Sequence, residues 1–125
     1  MQDPNLFEMF EKIVYDNNLE LFKSEVQKLD SINIQNKYGW TLLHISIRRD
    51  RTDMVNFLLD NGADINKVDG VGWTPLMEAI MDDMPNLCKL LVERGADKSI
   101  ANARGVTAPM LAQKFGRASM YEYLG

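Results

Sequence analysis

The sequence predicts an all-α repeat solenoid: a row of helix-turn-helix units joined by short β-turn or hairpin fingers. Three observations carry that expectation. Gly39, Gly72 and Gly105 are spaced 33 residues apart, and Thr41, Thr74 and Thr107 keep the same spacing. Gly62-Ala63-Asp64 recurs as Gly95-Ala96-Asp97, again 33 residues on. Residues 36–68 laid over 69–101 without gaps share ten identical positions, a regularity that one shared glycine could not produce.

The units follow in order over a single domain, 1–125. The first, about 1–35, opens with Asp3 as a helix N-cap and Pro4 at the first helical position. Leu6, Phe7, Met9, Phe10, Ile13 and Val14 then form a helical stripe. Residues 19–33 align with 52–66, and Leu21, Phe22, Val26, Ile32 and Asn33 match in character. This unit lacks both the Gly-Trp-Thr and the Gly-Ala-Asp signatures, as the end cap of a solenoid would.

The second unit, 36–68, places Gly39 of Tyr38-Gly39-Trp40 where a tight turn needs positive φ. Thr41 then caps a helix carrying Leu42, Leu43, Ser46 and Ile47. Met54, Val55, Leu58 and Leu59 mark a second helix, which Gly62 ends in the left-handed conformation. The third unit, 69–101, repeats the scheme with Val71-Gly72-Trp73, Thr74 and Pro75. Leu76, Ala79 and Ile80 mark its first helix, and Leu87, Cys88, Leu91 and Val92 its second, which Gly95 ends. The fourth, 102–125, keeps Gly105-Val106-Thr107, Ala112 and Gly116. It closes as a cap at Tyr123-Leu124-Gly125, inside or just after its second helix.

Composition narrows the function. The 125 residues are 46% hydrophobic and 26% charged, enough to build a core without metals or disulfides. One cysteine and one histidine make neither a disulfide framework nor a zinc cage. The net charge of −4 repels phosphates, so nucleic acid is not the expected partner. No apolar run reaches the ~18 residues of a membrane span. Met1-Gln2-Asp3-Pro4 begins no signal peptide, so the expected location is a reducing cytoplasm.

Catalytic chemistry finds no foothold. Cys88 lies on an apolar stripe, where a buried structural thiol is expected rather than a nucleophile. Asp82-Asp83 are adjacent, so they point apart and read as solvated acids at a helix end. Phosphate-binding loops and metal-ligand spacings are missing, so no cofactor and no enzymatic activity are expected. Met54, Met77 and Met110 read as core or inter-repeat filler.

Thr74-Pro75-Leu76-Met77 with Ala79, Thr41-Leu42-Leu43-His44, the Leu-Leu pair and Gly-Ala-Asp at period 33 resemble the ankyrin repeat. Thr107-Ala108-Pro109-Met110 is the poorest copy, with Pro109 where the family has a core leucine. The resemblance implies L-shaped units stacked so that fingers and first helices make a concave face. It makes His44 a structural hydrogen-bonding residue beside Thr41. It also implies a non-catalytic protein-binding module, whose variable positions flank each finger glycine and the end of each first helix.

Carried onto this chain, those positions are Lys37, Tyr38, Trp40, Arg48 and Arg49 in the second unit. In the third they are Gly70, Val71, Trp73, Met81 and Asp82, and in the fourth Ala103, Arg104, Val106, Lys114 and Phe115. Tyr15 and Asp16 hold the matching helix end in the first. Trp, Tyr and Arg are the residues most enriched at interface hot spots. Trp40 and Trp73, one repeat apart, either meet a partner or stack on neighbouring fingers. Arg48, Arg49 and Arg51 form a basic knot where the next unit has Asp82-Asp83. This alternation either keeps the surface soluble or orients a partner. Small free-standing ankyrin proteins are known among bacterial immunity proteins. The resemblance therefore implies a monomeric inhibitor of a partner protein, with a basic toxin or nuclease suited to the acidic balance. The alternative is an adaptor that bridges two partners.

Overall fold

In the computed structural model, which describes residues 5–125, four helix pairs succeed one another at the spacing of the sequence repeat. The first pair is α1 (Leu6–Tyr15) and α2 (Leu19–Val26), and the second is α3 (Leu42–Arg48) and α4 (Thr52–Asp60). The third is α5 (Pro75–Met81) and α6 (Pro85–Glu93). The fourth is α7 (Ala108–Lys114) followed by a 3-10 turn (Ala118–Met120) and α8 (Tyr121–Leu124). The expected Asp3 cap and Pro4 lie outside the described residues.

Local chemistry sets these boundaries. The Thr41 hydroxyl accepts from the His44 N–H, and the His44 ring reaches back to the Thr41 N–H, so α3 starts in a reciprocal capping box. Thr74 caps α5 through the Met77 N–H, with Pro75 at the first position. Thr107 departs from the pattern: it stands at the N-cap of α7, but its side chain makes no capping bond.

The first helices all end alike. Asn17, Asp50, Asp83 and Gly116 are spaced 33 apart and all have positive φ. Behind each, two backbone N–H groups turn back onto the last carbonyls of the helix; in α3 they are Asp50 to Ile47 and Arg51 to Ser46. Asp83 is therefore an exposed left-handed helix terminator, whereas Asp82, expected as a solvated acid, is partly buried with its Oδ2 enclosed.

The first helices pack directly on one another along the row, α1 on α3, α3 on α5 and α5 on α7. Residues Leu42–Ile47 of α3 and Leu76–Ile80 of α5 are buried all round. Small side chains make this close approach possible: Ser46, Ala79 and Ala112, at the same repeat position, are all buried. The second helices bury one stripe each, such as Val55 and Leu58 or Leu87, Cys88 and Leu91, and leave the other face to water. One continuous apolar cluster runs from Phe7 to Leu124.

The fingers are turns. Among the described residues there is no strand, and one isolated bridge joins Gln35 and Thr41. Each finger is held by a side-chain oxygen that accepts two backbone N–H groups. Asn36 takes those of Tyr38 and Trp40, Asp69 those of Val71 and Trp73, and Asn102 those of Arg104 and Val106.

Two apolar expectations need correction. Met54 and Met77 are core residues, but Met110 is 50% exposed. Among the described residues no following unit covers the face of α7 that carries it. Leu21 faces solvent on α2, whose contact with α1 and α4 is made by Phe22 and Val26. Pro109 is only partly covered, and Ala108 rather than Pro109 is the buried residue at that turn.

Candidate partner-binding groove

The fingers of the second and third units stand side by side because their backbones touch. The Gly70 N–H donates to the Tyr38 carbonyl at 2.8 Å. A side chain at Gly70 would sit 2.7 Å from that oxygen. Gly70 is therefore a close-packing residue, contrary to its expected place among the variable positions. The Gln35 amide adds a second tie, donating to the carbonyls of Gly39 and Val68.

Beneath the fingers, His44 joins the two units. Its Nε2 lies 3.0 Å from the Trp73 carbonyl oxygen and its Nδ1 2.8 Å from the Thr41 hydroxyl. A carbonyl only accepts, so Nε2 carries the proton and Nδ1 accepts. Burial is the largest influence on this imidazole and pushes its pKa below the ordinary value, so the ring is neutral at pH 7.

Between the two fingers and helices α3 and α5 lies a groove of about 660 Å³. Of the residues expected to contact a partner, Lys37, Tyr38, Trp40, Arg48, Val71, Trp73, Met81 and Asp82 line it. Tyr38 and Trp40 pack at 5.2 Å between ring centroids. The Arg48 guanidinium stands 4.1 Å over the Trp40 ring, and the Lys37 ammonium 5.2 Å over Tyr38. Both indoles are half-buried against the core, and both line the groove.

The other expected residues lie elsewhere. Arg49 stands 4.9 Å over the Tyr15 ring and lines a smaller hollow of about 280 Å³ with Glu11 and Ile45. Arg104 and Phe115 line neither space. Phe115 caps the end of α7, 42% exposed, with the Lys114 ammonium 5.7 Å from its ring. Arg51 is not part of a free basic knot: it donates to the carbonyls of Val14 and Tyr15 and so closes the end of α1. Arg117 does the same for Ile80 and Met81 at the end of α5.

Two groove acids escaped the sequence reading. Asp69, buried as the anchor of its finger, is signalled by Asn36 and Asn102 at the same repeat position. Glu78 is 4% exposed and stands where the second unit has Ile45. A carboxyl interrupting an otherwise apolar helix was its only signal. Burial, then the hydrogen bond and charge of Asp82 one turn on, push Glu78 up to about 8, so it keeps its proton at pH 7. One carboxylate oxygen of Asp82, Oδ2, is buried without a hydrogen-bond partner.

Cys88 is buried in the core, and burial raises its thiol to about 11. Among the described residues no three metal-ligating side chains cluster, and no helix is long and apolar enough to cross a membrane.

A family model for ankyrin repeats, in three copies, matches residues 10–102. The chain belongs to the ankyrin-repeat family. No curated protein matches it. Ankyrin repeats are generally protein–protein interaction modules and generally non-catalytic. In this ankyrin stack the groove joins finger and first-helix residues of neighbouring repeats, and both indoles line it.

Proposed function

We propose that this ankyrin protein is a non-catalytic inhibitor that grips a partner protein through the groove between its second and third repeats. The observation that carries the reading is the convergence of both tryptophans of the chain, with Tyr38 and Arg48, on one groove. Aromatic and arginine anchors of this kind supply most of the energy in interfaces. The fingers that carry both indoles are tied to each other and, through His44, to α3, so little is lost in ordering them. Arg49, Arg104 and Phe115 belong to the outer rim of the same surface.

A basic partner suits the net charge of −4 through attraction over distance, and on contact it meets the carboxylates of Asp69 and Asp82 on the third-repeat side of the groove. A nuclease toxin neutralised by a cytoplasmic, monomeric immunity protein has this chemistry. Co-expression with the product of the neighbouring reading frame tests it. The expected result is protection of the cells and a one-to-one complex on a sizing column. Trp40→Ala/Trp73→Ala is expected to weaken that complex by about 2 kcal/mol or more while leaving the helical spectrum intact. An undiminished complex in the double variant would sink the groove reading. A stable ternary complex with a second protein would replace the inhibitor with an adaptor.

A further inference from the structure

The repeat lattice lets one unit serve as a template for the next. In the second unit the indole of Trp40 is covered by the chain's own guanidinium, Arg48, eight residues on. One repeat later the same geometry places Trp73 beside position 81, which is Met. Among the described residues no cation and no second ring stands over Trp73. The same step replaces Ile45 by Glu78 and Arg49 by Asp82. The third repeat thus offers an uncovered indole beside two carboxyl groups, where the second repeat has an indole already satisfied by arginine.

The carboxyl groups are short of donors. Among the described residues neither Glu78 nor Asp82 forms an ion pair. Asp82 Oδ2 is buried and accepts from no N–H group, and what Asp82 does engage is the Glu78 carboxyl, itself an acid. The charged groups acting on Glu78 are Asp82 on its own helix, Arg48 from α3 and Asp69 from the finger. Arg48 is engaged on Trp40, and Lys37, the other groove cation, stands over Tyr38. What neutralises the pair within the chain is a proton on Glu78, consistent with its pKa near 8. A cation from outside can do the same, and the proton then leaves to solvent.

We propose that the groove beside Trp73, Met81 and the Glu78–Asp82 pair receives an arginine side chain of the bound partner. A planar guanidinium is the group that stacks on an indole and donates in-plane N–H groups to two carboxylates together. An ammonium offers a point charge and no stacking plane. A partner carboxylate would meet Asp69, Glu78 and Asp82 and is disfavoured. This inference rests on the groove reading and names the chemistry that the groove selects.

The test uses three blocked tripeptides, Gly-Arg-Gly, Gly-Lys-Gly and Gly-Glu-Gly, titrated against the full chain. Both tryptophans of the protein line the groove, so their fluorescence reports on it directly. The arginine peptide is expected to saturate in the millimolar range and to move the Trp73 indole resonance more than that of Trp40. The lysine peptide is expected to bind at least about threefold more weakly. Glu78→Gln/Asp82→Asn keeps shape and removes charge, and should weaken the arginine peptide about tenfold or more. Met81→Arg supplies the guanidinium from within, as Arg48 does in the preceding unit, and should block the peptide while the protein stays folded. Because Glu78 gives up its proton on binding, affinity should be higher at pH about 9 than at pH about 6.

No saturable response to the arginine peptide, equal binding by the Gln/Asn variant, or preference for the glutamate peptide would each overturn the proposal. With the partner protein in hand the two readings separate. Loss of the complex in Trp40→Ala/Trp73→Ala but not in Glu78→Gln/Asp82→Asn ends the arginine proposal alone. A complex indifferent to both ends the groove reading too.

Discussion

The imidazole of His44 donates through Nε2 to the backbone oxygen of Trp73, 3.0 Å away and in the next repeat. The same oxygen accepts the Asp69 N–H at 2.9 Å, so one carbonyl closes its own finger and anchors the helix of the unit before it. The indole of Trp73 is therefore positioned from behind by a residue that never touches the groove.

His44→Ala should cost about 2–3 kcal/mol, since it removes the return half of the α3 capping box, one of the two donors to the Trp73 carbonyl and the packing of a fully buried ring. Urea denaturation checks the magnitude. The pH response has a definite sign. Burial lowers the folded pKa below the ordinary 6.5, so below that value the unfolded chain binds a proton that the folded chain refuses. The contribution of His44 is fully present above pH about 6.5 and is lost as pH falls through that region. In the variant that loss should vanish.

Glu78 works in the opposite sense. Its ordinary value is 4.5 and its folded value about 8, so between them the folded chain keeps a proton that the unfolded chain has released. Stability therefore declines as pH rises across this window. Glu78→Gln should remove the decline, so that the variant gains on the parent by up to about 1.4 kcal/mol for each pH unit across the window. Thermal melts of both chains from pH about 5 to pH about 9 measure this. Parallel curves would show that Glu78 ionises normally.

Gly39 and Gly62 both have positive φ, yet alanine should separate them. A Cβ at Gly39 would run into Gly70 N and sit 2.9 Å from the Asp69 carbonyl carbon, whereas nothing lies within 4 Å of one at Gly62. Gly62→Ala should cost only the left-handed backbone strain, ~1 kcal/mol. Gly39→Ala should cost about 3 kcal/mol, because the two fingers must part as well. Equal denaturant midpoints would contradict the finger contact.

Ser46 offers a gain. Its hydroxyl is buried without a hydrogen-bond partner, and the same repeat position holds Ala79 and Ala112. Ser46→Ala should raise stability by about 1 kcal/mol, the desolvation cost of that oxygen. A higher urea midpoint with an unchanged slope would show it.

The repeat frame was legible because its signals are local and recur. Thr41 and Thr74 announce helix starts, Gly62 and Gly95 announce helix ends, and the apolar steps of three and four between them announce buried faces. The terminators of the first helices were harder to see, since Asn17, Asp50, Asp83 and Gly116 share a conformation but not a residue type. Met110 misled because its buried counterpart Met77 has a following unit to pack on. The groove was half legible: repeat position pointed to Trp40 and Trp73, whereas Arg51 looked like a surface charge and is a helix-closing donor.

The sequence by itself determined that there are four units, where the first helices of the central units begin and their second helices end, and which faces are apolar. Capping, turn conformation and helical periodicity act over a few residues and need nothing from distant parts of the chain. Only the tertiary structure decided that Glu78 is buried against Asp82, that Arg48 covers Trp40 and that Trp73 stays uncovered. Those facts depend on how far one repeat is shifted and rotated on the next. That placement is set by close packing at Ser46, Ala79 and Ala112 and by the Gly70–Tyr38 contact, and no spacing along the chain expresses it.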